Sequence, residues 1–388
     1  MNVVRLCSEL VKIRSENPPG KTDEIIRYIR DFTDSIGIRT IPIENAGGRC
    51  NLVNSRRRGN LLLCGHVDVV PAQPDGWKFD PFGGTCAEGF VWGRGTTDMK
   101  GGCASLLWAC KSIVEKESEL PCDLCFVCDE ETGGDYGIRS LLGEGLLSPC
   151  DCLIAEPTPA LHPSIGQKGL LRMNYRFSGE PGHGSLYPVK GVSAVMEACR
   201  LLRFLEDLHR QEFDPGADLQ PIVKRSADVL EDLFSMADVR KILTHVMFNP
   251  GRIEGGEKPN VVARECALDL ELRVPWGCEI RWLTEMLQKH APFGNASCSG
   301  ASPPSITSPE KKIVTVTCRE ISRIYPGDVF PIVQWAASDA RHLRNSGFSV
   351  VEYGPGEIST LHAVNERVRC NALENAARIY EGIIRAYS

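Results

Sequence analysis

Leu61-Leu62-Leu63-Cys64-Gly65-His66-Val67-Asp68 is the stretch on which the reading of this chain turns. A short apolar run closed by a glycine reads as a buried strand that stops at a turn. In α/β sheets, ligands collect at the carboxyl ends of strands. This end carries a histidine and, two residues on, an aspartate. On extended backbone, residues two apart point to the same side. An imidazole and a carboxylate therefore stand together at a strand tip. In that arrangement a carboxylate orients a metal-binding histidine and raises its basicity.

Outward from this strand, helix and strand signals alternate. A helix over about 2–15 ends near Asn17-Pro18-Pro19, and a second runs from a cap at Thr22 or Asp23 to Ile36, where Gly37 stops it. Strand signals follow at 38–43, 50–54 and 60–64, a helix at 101–117, and strands at 122–128 and 152–155. The pattern predicts an α/β domain with a mostly parallel sheet flanked by helices. It changes near Gly166-Gln167-Lys168-Gly169. Residues 170–178 alternate as a half-exposed strand, a helix covers 191–212, and 213–240 read as a charged, irregular surface excursion. Strands at 245–253 and 261–274 and a helix at 279–290 complete an α+β unit with an antiparallel sheet. Ala301-Ser302-Pro303-Pro304-Ser305 reads as a linker. The α/β pattern then resumes with a helix at 309–324, a strand at 348–353 and a helix at 370–387. The expected organisation is an α/β domain made of residues 1–167 and 307–388, with the α+β domain, 168–306, inserted into it.

Composition narrows the function classes. With 388 residues, two domains are expected. Hydrophobic residues at 42%, charged at 24% and aromatic at 7% are globular values, which excludes a disordered chain. A net charge of −6 argues against nucleic acid or an anionic membrane as partner. No apolar run approaches the ~18 residues that span a bilayer, and the N-terminus lacks a signal peptide's apolar centre. A cytoplasmic protein is expected, and its 17 cysteines read mostly as buried thiols. Cys122-x-x-Cys125-x-x-Cys128 looks like the start of an iron–sulfur run, but the position of the fourth ligand, 132, is threonine.

The chemistry lies in five turns, each following a predicted strand of the first domain. They carry His66 and Asp68; Asp98 in the Gly-rich Trp92–Gly102 turn; Asp129-Glu130-Glu131; Glu156; and His362. Two histidines and several carboxylates suit zinc or a similar divalent ion. A single hydrolytic zinc needs only three protein ligands, so the surplus favours two ions sharing a bridging carboxylate. Glu130 and Glu131 cannot both point the same way from an extended segment. One can ligate metal while the other serves as general base.

These residues resemble a known family, the dinuclear-zinc aminoacylases and exopeptidases that include acetylornithine deacetylase, succinyl-diaminopimelate desuccinylase and glutamate carboxypeptidase. The most specific matches are Gly65–Pro71, Trp92–Gly102 and Asp129–Gly133. The resemblance implies that His66 and Glu156 hold one metal, Glu131 and His362 the other, and Asp98 bridges them, with a cis Asp98-Met99 peptide. It implies that Asp68 orients His66 and that Glu130 is the general base. It casts the inserted domain as a lid and dimerisation domain. There His183 would reach a neighbouring subunit's site to stabilise the oxyanion, and Asn260 and Arg273 would hold the substrate carboxylate. Gly356 would lie at the mouth of the site. The expected function is metal-dependent hydrolysis of an N-acyl amino acid, with succinyl-diaminopimelate desuccinylase ahead of acetylornithine deacetylase and of a dipeptidase or carboxypeptidase. The expected cofactors are two Zn²⁺, with Co²⁺ as the alternative, and the expected assembly is a homodimer through the lid.

Overall fold

Leu61–His66 forms a strand buried along its whole length. It lies between two parallel neighbours, Asp123–Val127 and Asp151–Ile154. The computed structural model describes residues 2–54, 59–117 and 119–388, and they fall into two compact units. The first comprises Met1–Ile165, Ile306–Ile332 and Ser338–Ser388; the second comprises Gly166–Ser305 and Val333–Ala337.

Six strands of the nine-stranded main sheet run in the order Thr40–Glu44, Cys50–Asn54, Asp123–Val127, Leu61–His66, Asp151–Ile154, Ser349–Glu352. The last four strands are mutually parallel, and the first two pair antiparallel at the margin. Four apolar runs with both faces covered are what a parallel sheet requires. Register aligns their carboxyl ends: His66 pairs Val127, Cys64 pairs Ile154, and Ile154 pairs Glu352. Chain leaving each of these strands therefore emerges at one edge. The helices Val3–Lys12, Gly101–Glu117 and Cys370–Arg385 pack on one another, and Lys312–Ile324 packs on the last of them. The three clustered cysteines, 122, 125 and 128, are free and buried in and beside a central strand, as a strand reading requires.

A small sheet of Thr85–Ala87, Phe90–Trp92 and Arg367–Arg369 is an addition to the expected elements. Its strands are three residues each, too short for a periodic signal. It ties the Gly-rich turn after Trp92 to the chain after His362.

The second unit is a four-stranded antiparallel sheet in the order Met247–Gly255, Glu265–Val274, Gly169–Ser178, Gly294–Ser302. Leu171, Met173, Tyr175 and Phe177 alternate inward and meet Leu268, Leu270 and Leu272 in one core with Leu201, Leu205, Leu283 and Leu287 of the covering helices. Two expectations are corrected here. Residues 213–240 are not irregular, because Gln220–Phe234 is a helix whose Val223, Ala227 and Leu230 are buried. Their i, i+4, i+7 spacing was hidden among charged neighbours. The expected linker begins inside a strand, Gly294–Ser302, which consists almost wholly of small residues. Its β propensity is low, and pairing with Gly169–Ser178 overrides it.

Gly101 and Gly102 open their helix where backbone leaves no room for side chains: a Cβ on Gly101 would lie 2.3 Å from the carbonyl oxygen of Thr96 in the preceding turn. A Cβ on Gly102 would lie 2.2 Å from the carbonyl oxygen of Ala155, the residue before Glu156. An ordinary helix interior gains up to about 1 kcal/mol on Gly→Ala. Here overpacking against backbone reverses the sign, and Gly102→Ala is expected to cost about 1–3 kcal/mol in urea unfolding. A stabilised variant would contradict this packing.

Candidate metal centre

The aligned strand ends deliver the polar residues together. His66 ends its strand, Asp129–Glu131 follow Val127, and Glu156 follows Ile154 by two residues. Asp98 sits in the turn before the Gly101–Glu117 helix, with a cis Asp98-Met99 peptide. His362 lies beyond the Ser349–Glu352 strand with φ +57°.

Asp98 is shared by two groups. One oxygen lies 2.9 Å from Nε2 of His66, which is also 3.6 Å from Glu156. Its other oxygen lies 3.1 Å from Nε2 of His362, which is 3.4 Å from Glu131. In each group the potential donor atoms lie within 4.8 Å of one another. Both donor sets are of the histidine–carboxylate type that holds zinc. Oε1 of Glu131 is buried and has no hydrogen-bond partner among the described residues. Three carboxylates with two neutral imidazoles leave a concentrated negative charge that attracts divalent cations. The residues fit a pair of metal ions.

Electrostatics agree. Burial and the nearby Asp98 carboxylate push Glu156 well above the usual carboxylate range. Burial likewise raises Glu130, with Asp339, Glu131 and Asp98 adding to the shift. Burial opposes a charge on His66, yet Glu156, Asp68 and Asp98 outweigh it and hold the imidazole well above its ordinary value. Clustered acids of this kind demand cations, whether protons or metal.

Asp68 takes no place in either group. Its Oδ1 stands 3.5 Å from Nδ1 of His66, and its two oxygens accept the backbone N–H groups of Glu130 and Glu131, each at 3.2 Å. One residue thus ties the His66 ring, whose Nδ1 donates to the main-chain carbonyl of Asp68 at 3.0 Å, to the turn bearing the two glutamates. Asn17 reinforces the tie. Its amide donates to Asp68 at 2.9 Å and to Asp129 at 3.0 Å. The sequence assigns no role to Asn17, Arg94 or Glu366, and it marks Asp129 only as the first residue of the Asp129-Glu130-Glu131 turn. Glu366 accepts from the N–H groups of Thr97 and Asp98 and pairs with Arg94. The signal available was proximity: Arg94 lies inside the Gly-rich turn, and Glu366 lies four residues after His362.

Gly356 lies against this centre, since a Cβ there would meet Thr97 at 2.6 Å and Pro157 at 2.9 Å. His183, Asn260 and Arg273 belong to the second unit. Its own contacts join the first two: Gly184 N–H donates to Asn260 C=O at 2.8 Å, and His183 pairs with Val261. Arg273 lies on Glu265–Val274, 2.8 Å from Glu271 through Nη2, while its buried Nη1 has no partner among the described residues.

The raised His362 sets a pH dependence. Hydrogen bonds to Asp98 and Glu131 push it up to about 10. In the metal-free protein this pairing stabilises the fold fully below the ordinary histidine value, and the contribution is lost as pH rises towards 10. A metal ion must displace that proton. Metal affinity is therefore expected to rise from about pH 6 to 9, about tenfold per unit for each proton displaced. Calorimetric titration in buffers of different ionisation enthalpy counts those protons, and a flat affinity would contradict the ligand role of His362.

Residues 62–386 match the model of Peptidase family M20/M25/M40. Succinyl-diaminopimelate desuccinylase of Nautilia profundicola is 26% identical over 402 residues, covering 100% of both chains. Acetylornithine deacetylase of Pasteurella multocida is 31% identical over 277 residues, covering 69% of this chain and 66% of that one. Among solved structures, an M20 family metallo-carboxypeptidase of Sulfolobus solfataricus superposes with a TM-score of 0.79 at 19% identity, covering 99% of each chain. Strand ends that gather two histidine–carboxylate groups around one aspartate, and a family match over most of the sequence, place this chain in Peptidase family M20/M25/M40.

Proposed function

We propose that this protein hydrolyses the amide bond of an N-acyl amino acid with the help of two divalent metal ions, with N-succinyl-diaminopimelate as substrate. The observation that carries the reading is the pair of ligand groups sharing Asp98, with Glu130 on the same turn as Glu131. His66 and Glu156 would hold one ion, Glu131 and His362 the other, and Asp98 both. Such ions, when bound, polarise the scissile carbonyl and lower the pKa of water. Zinc is the metal proposed, on the donor set.

Glu130 is the proposed general base. Asp68 holds its backbone N–H, and burial raises its pKa well above the ordinary carboxylate value, the direction that makes it a stronger base. It takes a proton from the attacking water and returns it to the leaving amine. His183 suits oxyanion stabilisation. Its Nδ1 is engaged locally, 2.8 Å from the Ser185 hydroxyl and 3.4 Å from the Ser185 N–H, so Nε2 is the nitrogen proposed to donate to the oxyanion. The unpartnered Nη1 of Arg273 is the donor proposed for the α-carboxylate, and Asn260, in the loop bonded to Gly184, is a second proposed partner.

Residues 1–167 and 307–388 would form the catalytic domain and 168–306 the lid. A homodimer through the lid is proposed, and the outer strand Met247–Gly255, exposed over most of its length, offers an edge for it. Among the described residues no helix is long and apolar enough to cross a membrane, and a cytoplasmic location is proposed. Acetylornithine deacetylation is the second reading, because the relatives carrying that name match at comparable identity.

Glu130→Gln is expected to lower kcat by about 10²–10⁴ while both metal ions remain bound. Turnover near wild type, or loss of metal, would overturn the assignment. Arg273→Met should raise KM for the carboxylate-bearing substrate with a smaller change in kcat, read on a panel of N-succinyl-diaminopimelate, N-acetylornithine and dipeptides. Preference for either of the last two would replace the desuccinylase reading.

A further inference from the structure

Arg94 and Glu366 form a buried ion pair, 4% and 0% exposed, that takes no part in the ligand sets or the proposed proton transfers. Its polar atoms are aimed at the backbone of the metal centre. Oε1 of Glu366 accepts the N–H groups of Thr97 at 2.9 Å and of Asp98 at 3.2 Å. Its Oε2 pairs with Nη1 of Arg94, whose Nη2 donates to the carbonyl of His362 at 3.1 Å. The backbone of Glu366 also accepts Gly93 N–H at 2.9 Å. The face of Trp77 covers the guanidinium at 5.4 Å.

We infer that Arg94 and Glu366 act as one clamp on both metal sites, Glu366 positioning the shared ligand Asp98 and Arg94 positioning His362. The inference rests on the two-metal reading above. Three physical points support it. A buried ion pair adds little net stability compared with apolar residues of the same volume, so stability alone does not account for its place here. The planar guanidinium can serve Glu366 and the His362 carbonyl together, which a lysine ammonium on its flexible stem does poorly. Asp98 must present one oxygen to each histidine, so a small rotation of its backbone loses one site or the other. Partners that orient metal ligands typically contribute 10–100-fold in metal affinity.

The test is metal retention. The intact Zn²⁺-loaded protein is dialysed against a series of chelator-buffered free-zinc concentrations, and bound ions are counted by mass spectrometry. Glu366→Gln is expected to release both ions at free zinc about 10–100-fold higher than wild type, because Asp98 is common to both sites. Arg94→Lys, which keeps the charge and loses the fork, should release one ion, that at His362, ahead of the other. Ile383→Ala, a core truncation in the last helix, controls for general loosening and should retain metal as wild type does. Asp98→Asn tests the metal centre itself and should lose both ions.

Retention of both ions at wild-type free zinc by Glu366→Gln and Arg94→Lys, with loss from Asp98→Asn, overturns the clamp and leaves the metal centre standing. Retention by Asp98→Asn overturns the metal centre and the clamp with it. Release from Ile383→Ala at the same free zinc as Glu366→Gln also overturns the clamp. If Glu366→Gln fails to fold by circular dichroism, Arg94→Lys carries the same comparison.

Discussion

The carboxylate of Asp98 faces His66 through one oxygen, at 2.9 Å, and His362 through the other, at 3.1 Å. Much of the surrounding structure serves to keep it there. The helix Gly101–Glu117 begins three residues after it, and its first two positions lie so close to the backbone of Thr96 and Ala155 that both are glycine. The small sheet on Arg367–Arg369 brings the chain after His362 against the turn that holds Asp98. A carboxylate that must satisfy two partners in different directions tolerates little error, and a displacement of about 1 Å is enough to impair a site of this kind.

That constraint also explains why so much acid is buried at one edge of the sheet. Asp68, Asp98, Glu130, Glu131 and Glu156 would repel one another if left to solvent screening alone. Backbone N–H groups and two imidazoles offset part of the repulsion, and the remainder selects for divalent cations. The roles divide by geometry. Asp68 accepts backbone N–H groups and touches His66, so it organises. Glu131 keeps a buried oxygen without a partner, so it is free to ligate.

The two units make different demands on their sequences. The first is read from runs such as Leu61–Cys64, buried on both faces and hence apolar throughout. The second is read from alternation, as in Gly169–Ser178, where Arg172 and Arg176 point away from the core that Leu171, Met173 and Tyr175 enter. Where neither pattern is strong, sequence reading falters. Gln220–Phe234 hides a three-residue apolar stripe among charges. Gly294–Ser302 has almost no strand-forming residues and exists because a neighbouring strand pairs with it.

The fold class, the strand that ends at His66 and the turns carrying Asp98, Glu130, Glu131, Glu156 and His362 are legible in the order of the residues alone. For His66, Glu130, Glu131 and Glu156 the signal is local, an apolar run with an imidazole or acid at its end. Asp98 is marked instead by its Gly-rich turn, and His362 by residue type in a loop after a strand. Only the tertiary structure decided how those turns are held. Asn17 meets Asp129 across 112 positions, and Arg94 meets Glu366 across 272. No local pattern marks such partners, because a buried polar group is satisfied by whatever the fold brings to it, and that is settled only when strand register and helix packing are in place.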